Sequence, residues 1–322
     1  MPKNVIKNYI GIDVSKKNLD ICLRPSMETF RVTNDQDGFK ELKKRLKAPK
    51  SSLIALEATG GYESDVVSFL QGKNFNVAVV NPRQVRDFGK SSGKLAKTDR
   101  IDAHTIAHFA EVFKPRVKEK ASEKELKLGQ NQQRRKQLVD MITMEKNRLY
   151  QAKGSVKTVI QETIEFLQKQ LKKIEAEQEQ QISKNTEWST KCELLCSVKG
   201  IGQVTATTLI AGLPELGNID DKELAALVGV APLNRDSGDH QGTRGIWGGR
   251  ADIRTAMYMA TLVAVRFNPP LKKVYERLCQ NGKKKKVALI ACLRKLLIIL
   301  NAMMRNGTVW SPKLIEETSI HA

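Results

Sequence analysis

The 322-residue chain reads as an α/β domain followed by all-α segments. Three patterns predict this. Apolar runs of strand length alternate with helical patterns up to about residue 115, as in a sheet covered by helices. From Ser122 to Lys184 there is no proline and only two glycines, with much Gln, Glu and Lys, as long helices require. From Ala251 to about Arg305 the pattern is helical again, broken at Pro269-Pro270 and Asn281-Gly282.

The elements follow in order. Residues 9–14 form a buried strand with an acid, Asp13, at its end, and residues 19–23 and 29–32 alternate as a hairpin. Gly38 to Leu46 is helical. Ser52 to Leu56 is a second buried strand, again followed by an acid, Glu57. Thr59-Gly60-Gly61 is a turn before a helix at Ser64 to Leu70. Val77 to Val80 is a third strand, stopped by Asn81-Pro82, and a short helix leads to the loop Ser91-Ser92-Gly93. Thr98 can cap a helix running to about Val112, with Asp99 and Asp102 in its first turn. In the middle, Ile160, Ile164, Leu167, Leu171 and Ile174 recur at heptad spacing, and Gly154-Ser155 divides the run into two helices. The next seam position is the polar Gln178, so an internal helix pair and a coiled-coil dimer both remain open. Ser197 to Gly202 followed by a helix has the form either of a helix-hairpin-helix, in which Lys199, Gly200 and Gly202 can meet a phosphate, or of an ordinary helix–helix turn made by a glycine pair. Residues 235–250 hold five glycines with Ser237, Arg244 and Arg250, the composition of a functional loop. The expected domains are 1–115, a helical coiled-coil arm at 116–190, and 191–322.

Composition narrows the function. Lys plus Arg is 55 against 35 acids, a net charge of +20 and a pI near 9.7. A mean hydropathy of −0.39 argues against a membrane protein, and the longest apolar stretch, Val287 to Met304, is interrupted by Arg294 and Lys295. There is no signal-peptide pattern, and five cysteines without a C-x-x-C pair suit a reducing cytoplasm. A basic, cytoplasmic, nucleoid-associated protein with a polyanionic partner is expected. The excess charge is spread out: residues 251–300 carry +9, with Lys283, Lys284, Lys285 and Lys286 as the densest run, whereas 201–250 carry −2. Such a run is either a solvated loop or a set of phosphate contacts. Aromatic residues are only 5%, too few for base stacking to dominate binding.

The acids suggest chemistry. Asp13 and Glu57 sit at strand ends, and Asp99 and Asp102 are three apart on one helical face. Four carboxylates suit a hard divalent ion, Mg²⁺ or Mn²⁺, and such ions serve phosphodiester chemistry. Taken singly, each acid has a structural alternative as a turn or helix cap. His104 and His108 point around the helix away from Asp99, so zinc is not expected. Cys192 and Cys196 are expected to pack helix against helix.

In order, the chain carries Gly11-Ile12-Asp13-Val14-Ser15, Glu57-Ala58-Thr59-Gly60-Gly61-Tyr62, Asn81-Pro82-Arg83-Gln84-Val85-Arg86-Asp87-Phe88 and Lys97-Thr98-Asp99-Arg100-Ile101-Asp102-Ala103. This set resembles the insertion sequence 110 family of DEDD transposases, which includes the insertion sequence 1111 group. Val198 to Gly202, Gly229-Val230-Ala231-Pro232, Ser237-Gly238 and Gly248-Gly249-Arg250 look like that family's second domain. The resemblance implies a RuvC-like (RNase H fold) first domain with Asp13, Glu57, Asp99 and Asp102 as a metal-binding tetrad. It implies Ser237 as a nucleophile that forms a phosphoserine link to DNA, donor and target DNA as substrates, and a structured guide RNA. A helical arm between the domains is consistent with a homo-oligomer, dimer or tetramer, and with the acids and Ser237 sharing one composite site in cis or in trans. Arg244 and Arg250 could clamp the scissile phosphate or be loop arginines bonded to carbonyls. Two rivals stand beside this reading: a RuvC-like structure-specific endonuclease using metal-activated water, and a non-catalytic nucleic-acid-binding protein.

The charge excess yields a direct expectation. If about six or more phosphates are contacted, raising salt from roughly 50 to 200 mM should weaken nucleic-acid binding by about three orders of magnitude. A flat salt response in a filter-binding titration would show that the positive charge does not meet phosphates.

Overall fold

The computed structural model describes residues 6–93, 99–117, 120–233 and 245–314, with only the backbone of residues 99–101 and 233. The chain divides into two compact units, 1–121 and 122–322.

The first unit is a five-stranded sheet with helices on both faces. Its elements are β1 (Asn8–Val14), β2 (Asn18–Arg24), β3 (Thr29–Thr33), α1 (Gln36–Arg45), β4 (Ser52–Glu57), α2 (Ser64–Gly72), β5 (Asn76–Val80), α3 (Pro82–Ser91) and α4 (Asp99–Phe113). A 3₁₀ turn, Pro49–Ser51, leads into β4. The strand order is β3-β2-β1-β4-β5. β1 runs antiparallel to β2 and parallel to β4, and β4 runs parallel to β5. Because side chains alternate along a strand, each strand feeds two cores. Ile10, Ile12, Val14, Ile54 and Leu56 meet Phe39 and Leu42 of α1 and Val66 and Leu70 of α2. Tyr9, Leu53 and Ala55 meet Val85 of α3 and Ile106, Phe109 and Ala110 of α4. Asp35 caps α1 by accepting from the amides of Asp37 and Gly38.

Gly11 decides how α4 lies. A Cβ there would stand 2.1 Å from the Ala103 carbonyl oxygen and 2.3 Å from the Ala107 amide nitrogen. Only glycine lets the helix backbone come this close to the strand. At the other end of α4, Glu111 accepts from Arg24 Nε at 2.6 Å. Arg24 pairs with Tyr9 near the start of β1, and Gly11 lies nearer its end. The helix therefore runs antiparallel to β1, with its N-terminus over the carboxyl end of the strand.

The second unit holds α5 (Glu123–Gln151), α6 (Ser155–Ser183), α7 (Thr186–Cys196), α8 (Gln203–Gly212), α9 (Asp221–Val228), the two-residue strands β6 (Pro232–Leu233) and β7 (Gly245–Ile246), α10 (Ala251–Phe267), α11 (Pro269–Gln280) and α12 (Lys285–Asn306). A capping box of Ser122 and Glu125 starts α5. The heptad seam packs internally: Leu167, Leu171 and Ile174 of α6 lie on Leu138 and Ile142 of α5. The arm expected at 116–190 is not set apart from the C-terminal helices. Leu128 of α5 and Ile182 of α6 are buried in the same core as α7 to α12. The polar seam residue Gln178 is 3% exposed. Its amide donates to Gln132 Oε1 at 3.0 Å, and Gln132 donates to Thr208 Oγ1 at 2.9 Å, which ties α6, α5 and α8 together.

By length and composition α12 would suffice to cross a membrane. Its apolar residues are instead the centre of this unit: Leu293, Leu296, Leu297, Leu300 and Met303 are fully buried. The flanking Arg294 and Lys295 are half-buried.

The contact at Gly11 gives a stability test. Gly11→Ala should cost about 3 kcal/mol, the upper range for overpacking a tight core. Urea unfolding followed by circular dichroism measures it, and a wild-type midpoint would contradict the close approach.

Candidate active site

The pairing of β1 with β4 places Ile12 beside Leu56, so Asp13 and Glu57 are neighbours at the carboxyl ends of adjacent parallel strands. Ile12 and Leu56 belong to the α1/α2 core. Alternation then turns Asp13 and Glu57 to the opposite face, beneath α4. Asp102 precedes Ile106 by four residues and Phe109 by seven, and both of those pack on the sheet. The same helical stripe brings Asp102 over the sheet one turn nearer the N-terminus of α4. Three of the four expected acids therefore gather at one end of the sheet on one face, and all three are partly exposed. Each also has interactions within the fold. The Asp99 side chain lies outside the described residues. Among the described residues no group of three His, Cys, Asp or Glu is close enough to hold an ion. The donor set itself is all oxygen, which suits Mg²⁺ or Mn²⁺ rather than a soft metal.

Sequence reasoning missed a fifth acid. Asp20 on β2 pairs directly with Asp13 and so shares its face. It is 6% exposed. Arg31 of β3, its partner in the register, donates to both carboxylate oxygens, Nε and Nη2 each at 2.9 Å. This bidentate pair offsets a negative charge that would otherwise lie beside Asp13. The signal was an acid within the apolar strand Leu19 to Leu23.

The loops at this end are tied down. Glu63 accepts from the Thr59 and Gly61 amides and the Thr59 hydroxyl at 2.8–3.1 Å. Burial pushes its pKa up, but the hydrogen bonds from backbone amides and from Thr59 outweigh this and hold it below the ordinary glutamate value. Asn34 donates to the Ser15 and Tyr62 carbonyls, joining the loops after β1 and β4. His108 packs edge-on against Phe88 of α3, with ring centroids 5.0 Å apart.

In the second unit, Ser237 and Arg244 lie outside the described residues, and so does His240. The base of their loop is described. Pro232 pairs with Ile246 and Leu233 with Gly245. A Cβ on Gly249 would stand 2.3 Å from the Gly229 amide nitrogen, so the two chain segments touch through backbone. Arg250 donates from Nη1 and Nη2 to Glu215 at 2.6 and 2.7 Å, and from Nη1 to the Gly212 carbonyl at 2.9 Å. These bonds make it an anchor of the loop base, in line with the carbonyl-bonded alternative.

Gly200 has φ +110°, and a Cβ there would meet Ala264 of α10 within 3 Å, so this glycine seats the hairpin on the core. Gly202 caps α8 with open space around it, and Lys199 beside it is exposed. Lys283, Lys284, Lys285 and Lys286 are all exposed at the start of α12. Burial pushes the Cys192 thiol up to about 12, and Cys192 donates to Gln203 at 3.3 Å. It is a packing residue that links α7 to α8.

Two family profiles match the chain. A transposase profile of the insertion sequence 110 DEDD type covers residues 10–152, and one described as a transposase of the IS116/IS110/IS902 family covers residues 192–276. The chain is 28% identical to the pilin gene-inverting protein of Moraxella bovis over 96% of its own length and 99% of that protein. The pilin gene-inverting protein of Moraxella lacunata is 28% identical over the same shares. A 43.6 kDa protein of insertion element IS110 from Streptomyces coelicolor is 27% identical over 38% of this chain and 30% of its own.

The Asp20–Arg31 pair yields a test. Arg31→Leu leaves Asp20 buried without this partner and should cost about 2 kcal/mol of unfolding free energy. Adding Asp20→Asn should recover part of the loss, because the remaining cost is an unpaired charge. A double variant no more stable than Arg31→Leu alone would contradict the pairing's role.

Proposed function

Since the chain belongs to the insertion sequence 110 family of DEDD transposases, enzymes that cut and rejoin DNA, we propose that Asp13, Glu57, Asp99, Asp102 and Ser237 carry its strand exchange. The observation behind this reading is that Asp13 and Glu57 end adjacent parallel strands on the face covered by α4, whose first turn carries Asp102. The strand order with an antiparallel β2 is compatible with a RuvC-like domain.

In this reading Ser237 Oγ attacks the scissile phosphorus. A serine–phosphate bond forms, the ester bond to the departing sugar oxygen breaks, and that oxygen takes up a proton. A sugar hydroxyl of another strand then attacks the phosphoserine, releases the serine hydroxyl and restores a phosphodiester. Each ester bond broken is replaced by one formed, so the exchange needs no outside energy source. A free serine hydroxyl is a weak nucleophile and needs activation. Held by the four carboxylates, Mg²⁺ or Mn²⁺ would supply it by lowering the hydroxyl pKa and offsetting charge on the phosphate oxygens. The Asp20–Arg31 pair and the Glu63-closed loop hold the acid-bearing strand ends in place. Gly249 and Arg250 fix the stem from which Ser237 departs.

Further features support nucleic-acid contacts. The open N-terminus of α8 with Lys199 can meet a phosphate, and Lys283 to Lys286 present a dense positive patch to DNA or to a structured guide RNA. The exposed apolar side chains Met144, Tyr150, Val156, Val159 and Phe166 near the α5–α6 turn support association with another copy of the chain.

Two substitutions test the chemistry. Ser237→Ala should abolish a covalent protein–DNA adduct and reduce strand exchange at least about 10³-fold, as loss of a nucleophile does. Asp102→Asn should abolish metal-dependent cleavage while leaving binding to duplex DNA intact. Unchanged cleavage without an adduct in Ser237→Ala would favour the water-using endonuclease. Mixing inactive Asp13→Asn and Ser237→Ala chains should restore exchange if the two sets of residues act in trans.

A further inference from the structure

The end of the sheet opposite the acids carries a second feature. A cleft of about 600 Å³ opens between the start of β1, the 3₁₀ turn before β4 and the turn between α2 and β5. It is lined by Lys7, Lys50 and Lys73 with Ala48, Pro49, Ser51 and Asn74, and no carboxylate stands among its described lining residues. All three lysines are exposed, as is Lys47 beside Ala48. Its walls are built by the fold. The Lys7 amide donates to the Ser51 carbonyl at 2.8 Å, and Asn76 donates to the Ser52 carbonyl at 3.2 Å. Ala48 and Asn74 hold φ of +52° and +62°, a left-handed backbone rarely taken by alanine.

We infer that this lysine-lined cleft is a second nucleic-acid contact of the N-terminal unit, taking the phosphodiester backbone of a segment that is not being cut. Lysines without arginine forks meet phosphates rather than read bases, and the ring beside them, Phe69, has its centroid 5.8 Å from Lys73 Nζ. Lys7, just before β1, and Asp13 lie six residues apart, about 20 Å at the rise of a strand, so one phosphate cannot occupy both ends. The cleft therefore positions a neighbouring stretch of backbone, and its chemistry is independent of the acids. The inference rests on the reading of the chain as an enzyme of nucleic acids.

The test uses the full chain, a 30-base-pair DNA duplex and an RNA hairpin of similar length, titrated by fluorescence anisotropy at several salt concentrations. Lys7, Lys47, Lys50 and Lys73 are all changed to Ala in one variant. A control removes the same charge from the exposed lysines of α6, Lys157, Lys169, Lys172 and Lys173. Thermal melts check that both variants are folded. The cleft variant should lose up to about 3.6 from the slope of log K against log salt, since each of the four phosphate contacts contributes about 0.9, and the control less than one. Loss on the duplex identifies DNA as the occupant, and loss on the hairpin alone identifies RNA. Equal slopes for the two variants would overturn the inference and leave the enzyme reading intact. A wild-type chain that binds neither probe would overturn both.

Discussion

The first unit is organised by one steric allowance. Strand β1 has no side chain at Gly11, and the backbone of α4 occupies the vacated space. Helix and strand lie at backbone contact, so the first turn of α4 sits low over the ends of β1 and β4. A helix stood off by an ordinary side chain would carry Asp102 away from Asp13 and Glu57. The Arg24–Glu111 ion pair at the far end fixes the same helix in direction. Two contacts thus set both its depth and its course, and the placement of the acids depends on them.

A comparable logic runs through the second unit, with polar groups in the decisive places. Gln178 breaks the apolar seam of α6, yet its burial is made tolerable by the relay to Gln132 and Thr208. That relay draws the long helix pair onto α8 and merges it with the C-terminal core. Asn301 of α12 acts in the same way: fully buried, it accepts from the Gly217 amide and donates to the Ile219 carbonyl. The segment between α8 and α9 is thereby pinned to the most apolar helix of the chain. Apolar area supplies the bulk of the stabilisation, and these amides select one arrangement of the helices.

Much of this was legible in the residues. The strands of the first unit showed themselves as apolar runs ending in acids, and β1 and β4 are those runs. The heptad spacing in α6 was clear, but whether it met α5 or another chain depends on helix packing that spacing cannot encode. Asp20 was hidden because its meaning lies in the register between β1 and β2, a property of pairing rather than of order along the chain. Arg250 carried two meanings in the sequence, and its bonds to the Gly212 carbonyl and to Glu215 emerge only in three dimensions. Glu63 looked like an ordinary residue at a helix start, and its role in closing a loop depends on where Thr59 and Gly61 turn. Local pattern therefore revealed the elements and the acids at the ends of β1 and β4, whereas partner choice among charged groups required three dimensions.

The paired strands β6 and β7 have a consequence for the serine between them. Both ends of the intervening segment are held together by the strand pair, the Gly229–Gly249 contact and the Arg250–Glu215 clasp. Ser237 stands four residues beyond Leu233, so even a fully extended chain carries its Cα no more than about 14 Å from that anchor. The stem thus sets a maximum reach for that residue. In the mechanism proposed above, a phosphate attacked by this serine would have to be laid down close to that anchor, so the stem would limit where a strand could be cut.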